Sequence, residues 1–317
     1  MPTVDPASPR VVAVVVAFDR RDLLAQALTA VLGQTRAPDE VVVLDNASSD
    51  GSAAMVAERF GPAVDLVVLE RNTGGAGGFA LGMARALEVH DADAVWVLDD
   101  DTVPEPGALA ALVRAWQGGA ALAASRVRWT DGRDHPMNTP RPRPGVRDAV
   151  RPDGTVEIRS ASFVSCLLDG GALRAAGMPV ADYFLWNDDF ELTARVLRRR
   201  TGVWVPASVV EHSTRTFGDS AADPGERFYL EVRNKVWLLT RSRALGPRDR
   251  LLYGGATVRR WARTLARSSR RDVLLACLRA GLADGVRRGP RPNRVVLERA
   301  AGVDDVAALD LRAQVTR

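Results

Sequence analysis

The chain of 317 residues has only two cysteines, three histidines, three tyrosines and one lysine, Lys235. Each scarcity excludes something. Cys166 and Cys277 sit in apolar surroundings, read as reduced, buried thiols, and cannot form a disulfide framework. Ligand pairs of the zinc-site type are missing. No run of about 18 apolar residues occurs, so no transmembrane helix is expected, and Met1 to Arg10 lack the apolar stretch of a signal peptide. A cytoplasmic protein follows as the expectation. Aromatic residues make up only 6%, yet the chain is 46% hydrophobic, enough for one large domain with an appendage.

Arginine accounts for every basic residue but Lys235, a bias that coding composition produces as readily as selection for guanidinium chemistry. The net charge of +4 conceals two unlike parts. Residues 241–317 carry 18 arginines against 7 acidic residues, whereas the first 240 carry 25 basic against 32 acidic. A basic tail suits nucleic acid, anionic lipid or phosphorylated ligands. No nucleic-acid motif accompanies it, so nucleic acid is not an expected partner.

The most informative stretch is Ala94 to Asp101, where an apolar strand pattern runs into Asp99, Asp100 and Asp101. Three adjacent carboxylates repel one another, and no basic residue follows until Arg114, so a divalent cation is the candidate counter-charge. On extended backbone Asp99 and Asp101 point to one side and can share a hard cation, or the phosphates it carries. The alternative is a solvated acidic turn capping a helix over Ala108 to Trp116. The triplet alone does not decide between them.

The surrounding pattern alternates strand and helix. Arg10 to Phe18 reads as a strand buried on both faces, followed by a helix through Leu23 to Leu32 that Asp19 or Asp22 can cap. Glu40 to Leu44 is a second strand, and the polar turn Asp45 to Ser52 leads into Ala53 to Phe60. Val64 to Glu70 is a third strand, Asn72 to Gly78 a glycine-rich turn, and Phe79 to His90 a helix. This order predicts a doubly wound α/β sheet whose ligands lie beyond the carboxyl ends of the strands. Asp45, Asn46, Arg71, Asn72 and Asp99 to Asp101 fall just past strand ends and should line one cleft. Gly74 to Gly78 either present backbone amides to a diphosphate or let a helix pack closely on the sheet. Ala80 breaks a dinucleotide fingerprint, which would in any case follow the first strand, so a nicotinamide enzyme is not expected.

A run of motifs then carries a resemblance: Val14 to Phe18; Leu32-Gly33-Gln34-Thr35 with Pro38; Val41 to Ser52; Arg71-Asn72-Thr73-Gly74-Gly75; and Leu98-Asp99-Asp100-Asp101. Together they resemble family 2 glycosyltransferases of the GT-A fold, a mixed doubly wound sheet. The resemblance covers about the first 235 residues. Arg71 to Phe79 and Phe184 to Glu191 look most like bacterial galactofuranosyltransferases of cell-wall galactan synthesis, with rhamnosyltransferases close behind.

The resemblance implies roles. Ala17 and Phe18 would form the base pocket, Asp45 would hold uridine or ribose, and Arg71, Asn72, Gly74, Gly75 and Asp100 would line the nucleotide-sugar site. Asp99 and Asp101 match the DxD positions that hold Mn2+ or Mg2+ against the diphosphate, and His212 would be the third protein ligand. Asp189 would be the general base, Asp188 would orient acceptor or base, and Trp186 would offer a flat face to a sugar. Without the resemblance, Asp45 caps a helix, the acid pair caps another, Trp186 is core and His212 is structural. Residues 126–161, with Trp129 and the arginine- and proline-rich Arg141 to Pro144, are an insertion that can form an acceptor wall, and His135 in it reads as a surface histidine.

The expected organisation is a flexible segment over residues 1–10, a transferase domain over 11–240 and an arginine-rich helical region over 241–317. The last interleaves Leu251, Leu252, Val258, Trp261, Leu274, Leu275 and Leu282 with arginines, as a helix lying in an anionic membrane interface does; packing on the catalytic domain is the alternative. The expected reaction is inverting, metal-dependent transfer of galactofuranose from UDP-galactofuranose to a polyprenyl-diphosphate-linked glycan at the inner membrane face. Rhamnosyl transfer from dTDP-rhamnose is the nearest alternative. A non-catalytic scaffold that binds sugar nucleotides or lipid is the alternative of another class.

Overall fold

The structure, a computed structural model, describes residues 9–140, 150–214, 217 and 223–315. Most of the segment expected to be flexible, and Arg141 to Pro144, lie outside the described residues. The elements follow in chain order: β1 (Val11–Ala17), α1 (Arg21–Leu32), β2 (Glu40–Asp45), α2 (Ser52–Arg59), β3 (Asp65–Val68), α3 (Gly74–Glu88), β4 (Ala94–Asp99) and β5 (Thr102–Pro104). Next come α4 (Ala108–Gln117), β6 (Leu122–Arg128), β7 (Val156–Ile158), β8 (Ser165–Asp169), α5 (Gly170–Ala176), α6 (Asp188–Val196), β9 (Gly202–His212) and α7 (Phe228–Thr240). Four helices form the tail: α8 (Pro247–Arg267), α9 (Arg271–Arg287), α10 (Asn293–Val296) and α11 (Val303–Val315).

The strands form one mixed sheet in the order β3-β2-β1-β4-β8-β6-β9-β5, with β7 paired to β9. All seven residues of β1 are buried because helices cover both faces. Val12, Val14 and Val16 face the layer of α3, α5 and α11, while Val11, Ala13, Val15 and Ala17 face that of α1, α2 and α4. Parallel pairing sets Ala17 beside Asp45 and Val16 beside Asp99. The ends of β1, β2 and β4 therefore share one edge, as the doubly wound reading requires.

Two local expectations change, and the tail adopts one of its two expected arrangements. Neither Asp19 nor Asp22 caps α1: Asp19 sits at a φ of 51° and turns its carboxylate to the Ser49 amide, 2.7 Å away. Gly74 to Gly78 are not a turn but the start of α3. They are small because the helix lies hard on the sheet: a Cβ at Gly78 would stand 2.6 Å from Val16 Cγ1. The tail, finally, is not merely appended. Leu297, Val306 and Leu309 are fully buried in the same cluster as Val14, Leu44 and Phe79. Outer helices α8 and α9 instead expose Leu251, Leu252, Val258, Leu282 and Val286.

Candidate active site

The site begins with a polar seam inside the sheet. Trp96 on β4 donates to Ser165 Oγ on β8 at 3.0 Å, and Ser125 Oγ lies 2.8 Å from both Ser165 Oγ and Ser208 Oγ. Every hydroxyl is satisfied in a buried place, so the seam fixes β4, β8, β6 and β9 relative to one another. Two of these strands end in the candidate metal ligands. Thr102 pairs with His212 across β5 and β9, and the Ser213 amide donates to Asp101 O at 2.9 Å. This stitching sets His212 Nε2 3.1 Å from Asp101 Oδ1.

One ligand atom each from Asp99, Asp101 and His212 lies within 4.8 Å of the others. Asp101 Oδ1 is buried and accepts no aligned hydrogen bond despite its nearness to the imidazole. His212 Nδ1 sits 3.2 Å from Asn138 Oδ1, an acceptor that keeps a proton on Nδ1, so Nε2 is the nitrogen that faces the acids and would take a metal on losing its own proton. Two carboxylates and one neutral imidazole make a donor set that fits Mn2+ or Mg2+. Asp100 points the other way, accepting from the Phe18 amide at 2.8 Å and from Arg20 at 3.3 Å.

Arg20 also pairs with Asp101. The counter-charge missing downstream of the triplet thus comes from 80 residues upstream, as a guanidinium just past the end of β1. Burial and the charge of Asp101 push Asp99 up to about 6, and burial pushes Asp100 up to about 7. Burial also works to raise Asp101, but His212 and Arg20 outweigh it and hold its carboxyl below the usual range. Conversely, burial lowers His212 and Asp101 more than restores it, leaving the imidazole more basic than usual.

A second group arrives on the loop before α6. Phe184, Trp186 and Asn187 have φ of 63°, 68° and 68°, values that L residues adopt only when neighbours over-determine them. Here Asn234 on α7, fully buried, donates to the carbonyls of Tyr183, Leu185 and Trp186, each at 2.9 Å. Arg233 donates to Asp182 O at 2.7 Å, and Asn187 Nδ2 to Glu231 at 2.9 Å. The loop delivers Asp188 and Asp189 as the first residues of α6. Asp188 is buried, and Asp189 Oδ1 accepts from the Phe190 amide at 2.6 Å.

Residues 12–165 match the family model described as Glycosyl transferase family 2. Galactofuranosyltransferase GlfT1 of Mycolicibacterium smegmatis is 30% identical over 299 residues, which span 83% of this chain and 97% of that protein. The protein of the same name from Mycobacterium tuberculosis is 30% identical over 252 residues, 73% of this chain and 82% of that one. The chain is a family 2 glycosyltransferase. It is similar above all to galactofuranosyltransferases, and solved structures agree on the GT-A fold. GalNAc-T7 with UDP, GalNAc and Mn2+ superposes with a TM-score of 0.60 at 15% identity, over 93% of this chain and 57% of that one. Residues 1–349 of S. aureus TarS in complex with UDP give 0.55 at 13% identity, over 97% and 92%.

The transferase's other candidate residues divide into two places. Along the shared edge, Ala17 is buried and Phe18 is 42% exposed, so the Phe18 ring is the open surface there. Asp45 Oδ1 accepts from the Ser48 amide at 2.9 Å, whereas Asp45 Oδ2 is buried with no hydrogen-bond partner. Arg71 and Asn72 border a cleft next to that edge. Its volume is about 900 Å³, Phe184, Arg233 and Arg291 also line it, and Arg71 donates to Val296 O at 2.7 Å. Neither this cleft nor one of about 700 Å³ behind α5 and α6 has Asp99, Asp101 or His212 in its walls. Gly74 sits where the two loops touch, its carbonyl accepting from Asn46 at 2.9 Å and its amide donating to Asn72 at 2.7 Å. Gly75 faces open space.

The start of the insertion packs against the end of β9. Trp129 donates to Thr214 O at 3.0 Å and its ring lies 5.1 Å from that of Phe217. His135 is not on the surface: it is 1% exposed and stacks 5.3 Å from His212, because the backbone of 128–135 folds back on β6. Burial lowers its pKa, so it packs as a neutral ring. Sequence reasoning missed Arg20, Asn138 and the bracing role of Asn234; only Asn234 had a signal, in the Arg233-Asn234 pair on the last helix of the catalytic region.

Proposed function

We propose that this glycosyltransferase moves galactofuranose from UDP-galactofuranose to a polyprenyl-diphosphate-linked glycan, with inversion. The observation that carries the reading is the convergence of Asp99, Asp101 and His212 at the sheet edge. The likeness to proteins named galactofuranosyltransferase supports the sugar.

Asp99, Asp101 and His212 would hold Mn2+ or Mg2+, whose chemistry there is Lewis-acid neutralisation of charge on the departing diphosphate. Phe18 and Asp45 would seat the base and ribose, with the unpartnered Asp45 Oδ2 available to a hydroxyl donor. Asp189 would take the proton of the acceptor hydroxyl as its oxygen attacks C1 from the face opposite the diphosphate. Burial and the neighbouring charge of Asp189 push Asp188 far up, so it stays protonated and can donate to the acceptor or to its partner. Trp186 and Trp129 would flank the acceptor sugar.

The test is transfer from UDP-galactofuranose to a short rhamnosyl-GlcNAc lipid analogue, with dTDP-rhamnose in the donor panel. Full turnover by Asp101→Ala or Asp189→Ala sinks the assigned roles; preference for dTDP-rhamnose sinks the sugar. UDP binding without turnover on any donor would indicate a scaffold. For the membrane, Leu251 and Leu252 on α8 lie near Arg248 and Arg259, and Leu282 on α9 near Arg279, a pattern suited to anionic lipid. Truncating the tail would strip the core of Leu297, Val306 and Leu309, so the cleaner test is flotation of Leu251→Glu/Leu252→Glu with anionic vesicles. Undiminished flotation rules that face out.

A further inference from the structure

Lys235 is the lone lysine of the chain, and the fold buries it. It is 8% exposed on α7, and its Nζ stands 5.1 Å from the centroid of the Phe190 ring, the residue after Asp189. Among the described residues it makes no hydrogen bond and no ion pair. An ammonium on so nearly enclosed a side chain is costly to keep, and a chain that uses arginine everywhere else had an alternative. A guanidinium is wide and forked, whereas an ammonium is a compact point charge that fits over one ring face beside a carboxylate.

The charges around it narrow its purpose. Glu231, one turn earlier on α7, is engaged by Arg260, Trp261 and Asn187. Glu231 is also the carboxylate that acts most strongly on Lys235, Arg260 on α8 opposes it with like sign, and Asp189 on α6 is the second carboxylate in reach. Burial resists the ionisation of Asp189, and what favours it is Lys235 together with the backbone amides of Phe190 and of Asp189 itself. We propose that Lys235 is a positioning residue for proton transfer, its ammonium held on Phe190 so that the Asp189 carboxylate stays ionised and faces the acceptor. The inference rests on Asp189 being the general base. In support, burial raises Asp189 while the Phe190 amide and Lys235 draw it back, and burial lowers Lys235 to about 8, so the ammonium persists at neutral pH.

The experiment compares kcat/KM against pH for the full chain and for Lys235→Met, Lys235→Arg and Asp189→Asn. In Lys235→Met the acid limb is expected to move up by about one pH unit, a roughly tenfold loss near pH 6 that vanishes above about pH 8, where the native amine is itself neutral. Lys235→Arg should keep the native limb. The melting temperature of Lys235→Met should hold or rise, since methionine fills the space without a buried charge. Superimposed acid limbs for Lys235→Met and the native chain, with Asp189→Asn inactive throughout, overturn the role of Lys235. Turnover by Asp189→Asn removes the base itself and overturns the inference by that separate route.

Discussion

Gly74 joins the two halves of the site, and Gly74→Ala tests that junction. Its φ of +72° is one that an alanine adopts at a cost of about 1–2 kcal/mol. A Cβ there would also stand 2.6 Å from the carbonyl carbon of Phe184. That neighbour is backbone, so no side-chain rotation relieves the clash; one loop must move. Movement breaks the Ala76 amide bond to Phe184 O, 3.2 Å long, worth about 0.5–1.5 kcal/mol net. The expected loss in urea unfolding is therefore about 1.5–3.5 kcal/mol. Because the same loop delivers Asp188 and Asp189, turnover should fall about a hundredfold, the usual penalty for misplacing a reacting group by an ångström. Gly75→Ala is the control: its Cβ would meet nothing within 4 Å, and alanine in a helix should raise stability by about 0.5–1 kcal/mol. A Gly74→Ala protein that unfolds at the native midpoint and turns over normally, or behaves like Gly75→Ala, would refute the argument.

Three further outcomes are expected. Asn138→Ala frees His212 Nδ1, so Mn2+ affinity measured by calorimetry or electron paramagnetic resonance should weaken about 10–100-fold without loss of helical signal; unchanged affinity would show that the tautomer is fixed otherwise. Metal binding requires an ionised Asp99, whose pKa burial and Asp101 raise to about 6, and an imidazole free of its proton at His212, which Asp101 makes more basic than usual. Affinity should therefore climb through neutral pH and fall more than about tenfold per unit where both groups are protonated; a flat profile from about pH 5 to 7 contradicts this. Glu191 is 3% exposed and pairs with Arg195, so Arg195→Met should cost about 3–5 kcal/mol in urea unfolding, and adding Glu191→Leu should restore only part of it, because the carbonyls of Ala176 and Met178 and the Ser242 hydroxyl stay unpaired.

How far the sequence disclosed this molecule depended on the range of the interaction. The β1 and β4 runs of valine and leucine announce buried parallel strands, because burial on both faces is a property of the strand's own residues. The pairing of Asp99 with Asp101 is legible for the same reason: two-residue alternation is local. Arg20 is not legible, since its partners lie 80 residues away and only the adjacency of β1 to β4 brings them together. Arg71 is legible as a strand-end residue but its protein partner is not, because the carbonyl it meets belongs to α10, 225 residues on. The glycines of α3 read as a turn because glycine disfavours helices on average, and here contact with Val16 outweighs propensity. His135 reads as a surface residue because the fold-back of the insertion has no periodicity to follow.

Under the proposed chemistry, five carboxylates in one region must do three different things, and environment separates them. Asp99 and Asp101 share a face with His212, and between them lies Asp100, which the alternation of the chain turns toward the Phe18 amide and Arg20. That contact makes Asp100 a brace under the Phe18 ring rather than a metal ligand, so any effect on the nucleotide passes through β1. Asp188 and Asp189 are also adjacent, and burial at the start of α6 raises both, Asp188 further because the charge of Asp189 adds to it. The partition then follows from their partners: Asp188 is buried with an acid beside it, and Asp189 has an amide and an ammonium. Two carboxylates whose environments push them apart in this way are what acid–base division at a single site requires. Removing the ammonium should therefore blur the division before it disturbs the metal cluster, which gives Lys235→Met a second reading: Mn2+ affinity should stay native in the variant while the acid limb moves.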